Sequence, residues 1–583
     1  MKTTESKCKV LLLSRCLIAL VLSVFMQYLL LAIFLLFVNF NALHPMRWLK
    51  ETSSLIFSFY TWLVITPLIA SIVIYAILLG KSHLAMKRYY ASRFVWLVKT
   101  FPRKLSFLGI HIVMGFLTAC TYTKFLHEDY RSLTYECYGQ RCLNPYYTFL
   151  TGIGISSGCY HFCKANLKQE PEAVFPNIQQ VSVVRLRSLY SILYKSLLKS
   201  FMPCLYYTFI YWLLGHYGNE RFALLFGMDL EENYFSFFSC VTNFRLLFYA
   251  WILSSQILSN MHLMQKLFSI FLTQEMEFVI EKAQLACPSL DNKADKDVTL
   301  VEALSTTQVP LIQKLGALQV QSMGNSSRIS KRTAIYNLSI PGGYPTNWND
   351  LSAQCLAVMN EFIEDLAQSI RNISSLKNAE LICKPQTSAT LEAEKILLRQ
   401  YNVIYGIRRM VPDASASAVT TLTCPKTLPT AQRIKDYFDN KYKQLHTTLH
   451  ATFRSIPGFF YMFCEAEGAK AAFVLSNAQI IVWICQGLAG ICASSFKEDK
   501  HGVVQITLPE IINTLLRLKQ ESDKLNNVNL NGKKWDRNLI ALKSAVKRSL
   551  YKITTVYGDY LPDIIEDAQN LRILSSFKNY QDT

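Results

Sequence analysis

Gly154-Ile-Ser-Ser-Gly158 has the G-x-S-x-G spacing that, in hydrolases, sets a nucleophilic serine on a strained strand-to-helix turn. In this chain the five residues lie within an apolar run that reads as one continuous helix, so that turn has no place to form. Gly154 and Gly158, four apart, read instead as a small-residue pair that lets two helices approach closely. Cys159-Tyr-His-Phe-Cys163 offers two thiols and one imidazole, which do not complete a tetrahedral metal site. His111, His161, His216, His262 and Arg245 fall in or near apolar runs, without the paired carboxylates that a proton-coupled carrier places at mid-membrane. None of the 16 cysteines forms a C-x-x-C, and there is no Walker A, H-E-x-x-H or dinucleotide fingerprint. The expectation is a protein with no catalytic residue, no cofactor and no metal.

The elements that hold these residues are apolar. Of 583 residues, 51% are hydrophobic and 17% charged, against about one-quarter charged in soluble domains, which points to a membrane protein. Net charge is +19, and residues 1–264 carry 24 basic against 11 acidic groups. Basic charge lies in short loops and not in a basic-aromatic stripe, so direct nucleic-acid binding is not expected. Six spans are predicted, at about 16–40, 52–80, 105–123, 143–163, 200–217 and 240–264. The first is too long for a cleaved signal peptide and reads as an anchor.

Seven basic and no acidic residues between Lys81 and Lys104, and six basic against two acidic between Lys164 and Lys199, assign those loops to the cytosol. An even number of spans then returns the C-terminal half to the cytosolic side, where the chain starts. Arg245 is expected at the lumenal end of span six. Cys137 and Cys142 fall in a lumenal loop, where they form either a disulfide or two free thiols. The sequons at Asn325, Asn337 and Asn372 all follow span six and are expected to carry no sugar.

After Met264 the pattern becomes that of an α-helical cytosolic domain. A first block over 265–383 and a second over 433–583 flank a Pro- and Ser-containing linker at 384–432. Loop composition also marks Cys287 to Lys296 and Gln321 to Arg332. Thr507-Leu-Pro-Glu510 reads as a capping box. Ala471 to Phe496, 26 residues without charge, is long enough to span, but its amides and serines favour a buried central helix. From Trp535 to Tyr557 one apolar stripe predicts an amphipathic helix, with Lys543, Lys547, Arg548 and Lys552 off the stripe. Those four either form a solvated face or meet anionic lipid headgroups.

Four strings carry a family resemblance: Leu338-Ser-Ile-Pro-Gly-Gly-Tyr-Pro-Thr-Asn-Trp348; Leu475-Ser-Asn-Ala-Gln-Ile-Ile-Val-Trp483 leading to Ala493-Ser-Ser-Phe-Lys-Glu-Asp-Lys-His-Gly-Val-Val-Gln-Ile-Thr-Leu-Pro509; Ser549-Leu-Tyr-Lys-Ile-Thr-Thr-Val-Tyr-Gly-Asp559; and Phe175-Pro-Asn-Ile-Gln-Gln180. In this the chain resembles the transmembrane nucleoporins of the nuclear division cycle family. The resemblance implies an all-α protein with a six-helix transmembrane bundle, both termini on the cytosolic or nucleoplasmic side, and residence in the nuclear pore membrane. It further implies a structural role in anchoring and assembling the pore. Implied partners are other membrane-ring nucleoporins, the amphipathic-helix nucleoporins with an RRM-like fold, and Aladin. A multi-span transporter is the competing reading, but no repeat relates spans one to three with four to six.

Overall fold

The computed structural model describes residues 2–137, 140–165, 167, 173–176, 180–229, 243–280, 298–338, 343–383, 457–463, 465, 468–527, 537–565 and 567–578. The expected linker at 384–432 and the loop at 287–296 lie outside these residues.

Apolar runs and polar caps define the first half. Helix α1 (Lys2–Val38) covers the first charge-free run. The second predicted span is divided: α2 (Pro45–Ile56) ends at Phe57, and α3 (Phe59–Leu84) starts afresh because the Ser58 side chain accepts from Tyr60 N–H. The expected start at 52 therefore moves to 59. Helix α4 (Arg93–Thr123), capped by Ser92, includes the basic residues Arg93, Lys99, Arg103 and Lys104 as well as span three. A short turn, α5 (Glu128–Arg131), leads to strands β1 (Thr134–Cys137) and β2 (Gln140–Leu143), an antiparallel hairpin in an otherwise helical fold.

Helices α6 (Pro145–Ala165), α7 (Ser182–Leu186), α8 (Leu189–Lys199), α9 (Phe201–Phe226) and α10 (Phe244–Leu272) complete this half. Helix α10 runs eight residues past the expected boundary at 264. Five of the described helical stretches are long and apolar enough to cross a membrane: Ser6–Val38, Phe59–Leu84, Arg93–Thr123, Ser182–Gly215 and Ala478–Glu498. The helices over predicted spans four and six are not among them; they carry more polar residues, several of them turned inward. Ser157 Oγ, for instance, donates to Ser254 Oγ at 2.9 Å in the buried α6–α10 contact, and buried hydroxyl pairs of this kind join helices in lipid.

The α4–α6 contact rests on glycine. A Cβ on Gly115 would fall on the Gly154 carbonyl, one on Gly154 on the Gly115 carbonyl, and one on Gly158 on the His111 carbonyl. The backbones touch because three side chains are absent.

The second half is α-helical. A capping box between Thr299 and Glu302 opens α11 (Leu300–Ser305). Next come α12 (Pro310–Asn325), α13 (Ser330–Tyr336), α14 (Thr346–Cys383), α15 (Pro457–Phe463) and α16 (Ala469–Ser476). Helices α17 (Ala478–Glu498), α18 (Val503–Asn527), α19 (Arg537–Tyr557), α20 (Leu561–Ile564) and α21 (Ala568–Lys578) follow. Helix α17 is the axis of this half, packed on α12 on one side and α19 on another. Its residues Ile484, Cys485, Leu488, Ile491 and Cys492 are fully buried, in keeping with a central helix of a folded domain. Gly324 of α12 meets Gly487 and Gly490 of α17, backbone against backbone.

Two local expectations are corrected. Residues 321–325 are the last turn of α12, held helical by the Gly324 contact, so the loop shrinks to 326–329. Thr507 does not cap a helix, since α18 begins at Val503 with Asp499 accepting from His501 and Val504 N–H.

Replacing Gly154 with Leu should reduce stability by about 1–3 kcal/mol or more, because overpacked side chains force backbones apart. Gly109→Leu on the same helix α4, where nothing lies within 4 Å of the added carbon, should change little. Thermal unfolding of the two variants in detergent checks this; equal midpoints would remove the glycine seam from the fold.

Candidate functional site: the seam between bundle and domain

Each α-helix ends in carbonyls without an intrahelical donor. At the C-terminal end of α10 two arginines supply donors. Arg15 of α1 donates to the carbonyls of Phe271 at 3.3 Å, Gln274 at 2.5 Å and Glu275 at 3.0 Å. Arg185 of α7, buried, donates to the Ile270 carbonyl at 3.2 Å and to Thr273 Oγ1 at 2.8 Å. Positive charge here also suits the negative end of the helix dipole. The start of α1 and the end of α10 therefore lie at one end of the bundle.

The chain leaves that end and is clamped at once onto the second half. Gln319 of α12 accepts from Phe278 N–H at 2.8 Å and donates to its carbonyl at 3.0 Å. Leu300 N–H then donates to the Val279 carbonyl at 2.9 Å. Both basic loops join the same seam. Phe175 meets Trp483 of α17 edge-to-face at 5.2 Å. In the 81–104 loop, Tyr89 hydrogen-bonds Glu465 and stacks obliquely on Phe473 at 5.6 Å. Arg93 lies 3.4 Å over the ring of Tyr461, and Phe94 packs on Phe463 at 4.7 Å. Such cation–π and aromatic contacts add binding beyond area alone.

Behind the seam is a buried ion pair. Arg332 of α13 holds Glu498 of α17 in a two-pronged contact, Nε to Oε2 at 2.9 Å and Nη2 to Oε1 at 2.6 Å. Its third nitrogen donates to the carbonyls of Met323 at 3.0 Å and Ser326, ending α12. The carboxylate beside it raises the Arg332 pKa above its ordinary value. Tyr336 donates to the Ile491 carbonyl at 3.0 Å, Trp348 to Thr507 Oγ1 at 2.8 Å, and Tyr557 to the Cys492 carbonyl at 3.2 Å. Burial pushes the thiols of Cys355 and Cys492 up to about 12, so they stay protonated and are not nucleophiles near neutral pH.

The residues singled out by sequence fall as follows. Gly154 and Gly158 are brought against α4. Cys142 is buried and disulfide-bonded; the hairpin register pairs it with Tyr135 and pairs Cys137 with Gln140, which sets positions 137 and 142 diagonally on one face. Lys543, Lys547, Arg548 and Lys552 share α19 but do different things. Lys543 pairs with Asp523 at 2.8 Å, Lys552 leans on the Gly324 carbonyl at 3.5 Å, and Arg548 is exposed.

His161 turns inward, buried between His111 at 5.2 Å and His262 at 4.8 Å, while Cys159 is half-buried and Cys163 exposed, so that motif does not converge. No metal-ligand group occurs among the described residues. Arg245 stands in the first turn of α10, donating to Tyr249 Oη at 3.0 Å.

The whole of this framework has counterparts. The family model described as "Nucleoporin protein Ndc1-Nup" matches residues 10–574. The chain belongs to the Ndc1 nucleoporin family. It is 40% identical to nucleoporin Ndc1 of Drosophila pseudoobscura pseudoobscura, over 99% of each chain, and 39% identical to that of Drosophila melanogaster, over 98% of each. It is also 24% identical to the Homo sapiens nucleoporin NDC1, over 94% of each chain. In this Ndc1-family chain, Trp348, Trp483 and Tyr557 of the strings quoted above are buried.

Four functional contacts were not foreseen from sequence: the Arg15 and Arg185 caps, the Gln319 clamp and the Arg332–Glu498 pair. Arg15 and Arg185 could have been suspected only as lone arginines beside an apolar run. Gln319 and Arg332 carry no local signal.

Arg332→Met should cost about 3–5 kcal/mol, since it leaves the nearly buried Glu498 carboxylate without its partner. Arg332→Met combined with Glu498→Leu should recover much of that loss. Urea unfolding of the four corners of this cycle is the measurement, and additive losses would show that the pair is not coupled.

Proposed function

We propose that this chain is a structural membrane component of the nuclear pore complex, anchoring the pore scaffold in the pore membrane and supporting pore assembly. The observation that carries the reading is the arginine-capped end of α10. It gathers the start of α1, both basic loops and the described helices of the second half at one end of the bundle. If the basic loops face the cytosol, as the charge bias requires, so do both termini and the helical domain, within reach of soluble pore subunits. Family membership supports the same reading. The second half then works as two helical blocks, 265–383 and 433–583, joined through 384–432.

The partners proposed are other nucleoporins: those of the membrane ring, the amphipathic-helix nucleoporins and Aladin. On the opposite side lies the 134–143 hairpin, where Leu143 N–H donates to the Asp229 carbonyl at 3.0 Å and Asp229 N–H to the Arg141 carbonyl at 3.1 Å. We assign this end to the lumen, and Cys137 as the disulfide partner of Cys142, because the lumen is the compartment that sustains such a bond.

A fluorescent fusion should give a punctate nuclear rim coincident with pore markers; reticular or plasma-membrane signal without rim enrichment would reject the anchor. The sidedness has its own test. Asn325, Asn337 and Asn372 should give no glycosidase-sensitive mobility shift, and a thiol reagent should label Cys137 and Cys142 only after reduction. Sugar on any of the three asparagines would reverse the orientation.

A further inference from the structure

Between α8 and the last turns of α10 there is an open cavity of about 290 Å³, lined among others by Lys195, Ser196, Lys199, His262, Gln265 and Lys266. Lys195 and Lys199 are four apart and share one face of α8, a spacing at which like charges repel. Lys266 faces them from α10. Among the described residues no carboxylate is paired with any of the three lysines. The floor is polar and fixed: Ser196 is buried and bonded to His262 Nδ1 at 3.0 Å, while Gln265 donates to Tyr75 Oη at 3.1 Å. Three positive charges around a polar recess, with no counterion among the described residues, are satisfied by an anion.

The level of the cavity identifies the kind of anion. Lys266 stands roughly 32 Å along α10 from Arg245, at about 1.5 Å per residue. That is close to the roughly 30 Å of a bilayer's hydrocarbon core, so Arg245 and the lysine pocket mark its two faces. Beside the lysines the outer surface of α8 is apolar and exposed, with Tyr190, Tyr194 and Leu198 uncovered. A soluble anion would leave that surface unused, whereas a phospholipid covers it with its chains while its headgroup enters the pocket. Lysine is a point-charge phosphate binder, and basic pockets between helices at a membrane face are suited to anionic headgroups.

We propose that Lys195, Lys199 and Lys266 form a binding site for the phosphorylated headgroup of an anionic phospholipid, with the acyl chains lying along α8. The proposal rests on the membrane residence of the first half and on no pore partner, so it is tested apart from rim localisation.

The probe is a fluorescent short-chain phosphatidylinositol 4-phosphate titrated into the detergent-solubilised full chain. Lys195→Gln/Lys199→Gln/Lys266→Gln should weaken binding by about tenfold or more. Lys50→Gln/Lys124→Gln/Lys500→Gln, which removes equal charge elsewhere, should not, and phosphatidylcholine should not compete. If the pocket variant is not recovered folded, Lys195→Gln alone, at an exposed position, must still weaken binding. Unchanged affinity in the pocket variant, or equal loss in both triple variants, overturns the site. Displacement by inorganic phosphate as effective as by unlabelled lipid overturns the lipid assignment and leaves a soluble-anion site.

Discussion

The end of α10 is the point on which the architecture turns. A helix that stops beside a membrane face leaves carbonyls that neither lipid nor an apolar neighbour can satisfy. Here the donors come from Arg15 and Arg185, 256 and 85 residues away from the carbonyls they meet. Because those arginines belong to the first helix and to the segment before α8, satisfying one helix end also fixes three parts of the bundle against one another. The chain then continues directly into the Gln319 clamp. The second half is thereby set on the bundle by hydrogen bonds to backbone, contacts that do not depend on which apolar side chains surround them.

Both halves use the same packing device. In the bundle Gly115, Gly154 and Gly158 bring α4 and α6 to backbone contact; in the domain Gly324, Gly487 and Gly490 do so for α12 and α17. In lipid no hydrophobic force drives helices together, so close approach and van der Waals contact must do it. In water such contact is optional. Its presence in α17 accounts for the ambiguity of that helix: a charge-free sequence with small residues looks like a span, yet α17 is covered on several sides by α12, α14, α18 and α19. Its polar residues find partners there, as when Gln321 donates to Gln486 and Ser495 bonds to Tyr557 at 2.9 Å.

What could be read from sequence were properties of contiguous residues. Charge-free length located most of the apolar helices of the first half. Gly154 and Gly158 were legible as a pair because their spacing is local, although Gly115, which completes the contact, was not. The division between α2 and α3 was missed because Phe57 and Ser58 are compatible with an apolar helix, and only the Ser58 cap, bonded to Tyr60, interrupts it. Thr507 was misread for the opposite reason. Its spacing to Glu510 is that of a cap, but Asp499 reaches the helix start first, and Thr507 is engaged by Trp348. The Arg332–Glu498 pair spans 166 residues, and no local pattern reports such a partner.

The strings that mark this chain as an Ndc1-family nucleoporin supply residues to the interior and to the seam. Trp348 bonds to Thr507, Tyr557 to Ser495 and Cys492, and Phe175 packs on Trp483. The Trp348–Thr507, Tyr557–Ser495 and Phe175–Trp483 contacts each join two of those strings. The buried members, Trp348, Trp483 and Tyr557, hold the helices of the domain together, whereas Tyr344, Ile506 and Tyr551 of the same strings stand exposed on its surface, so the strings carry both packing and accessible positions.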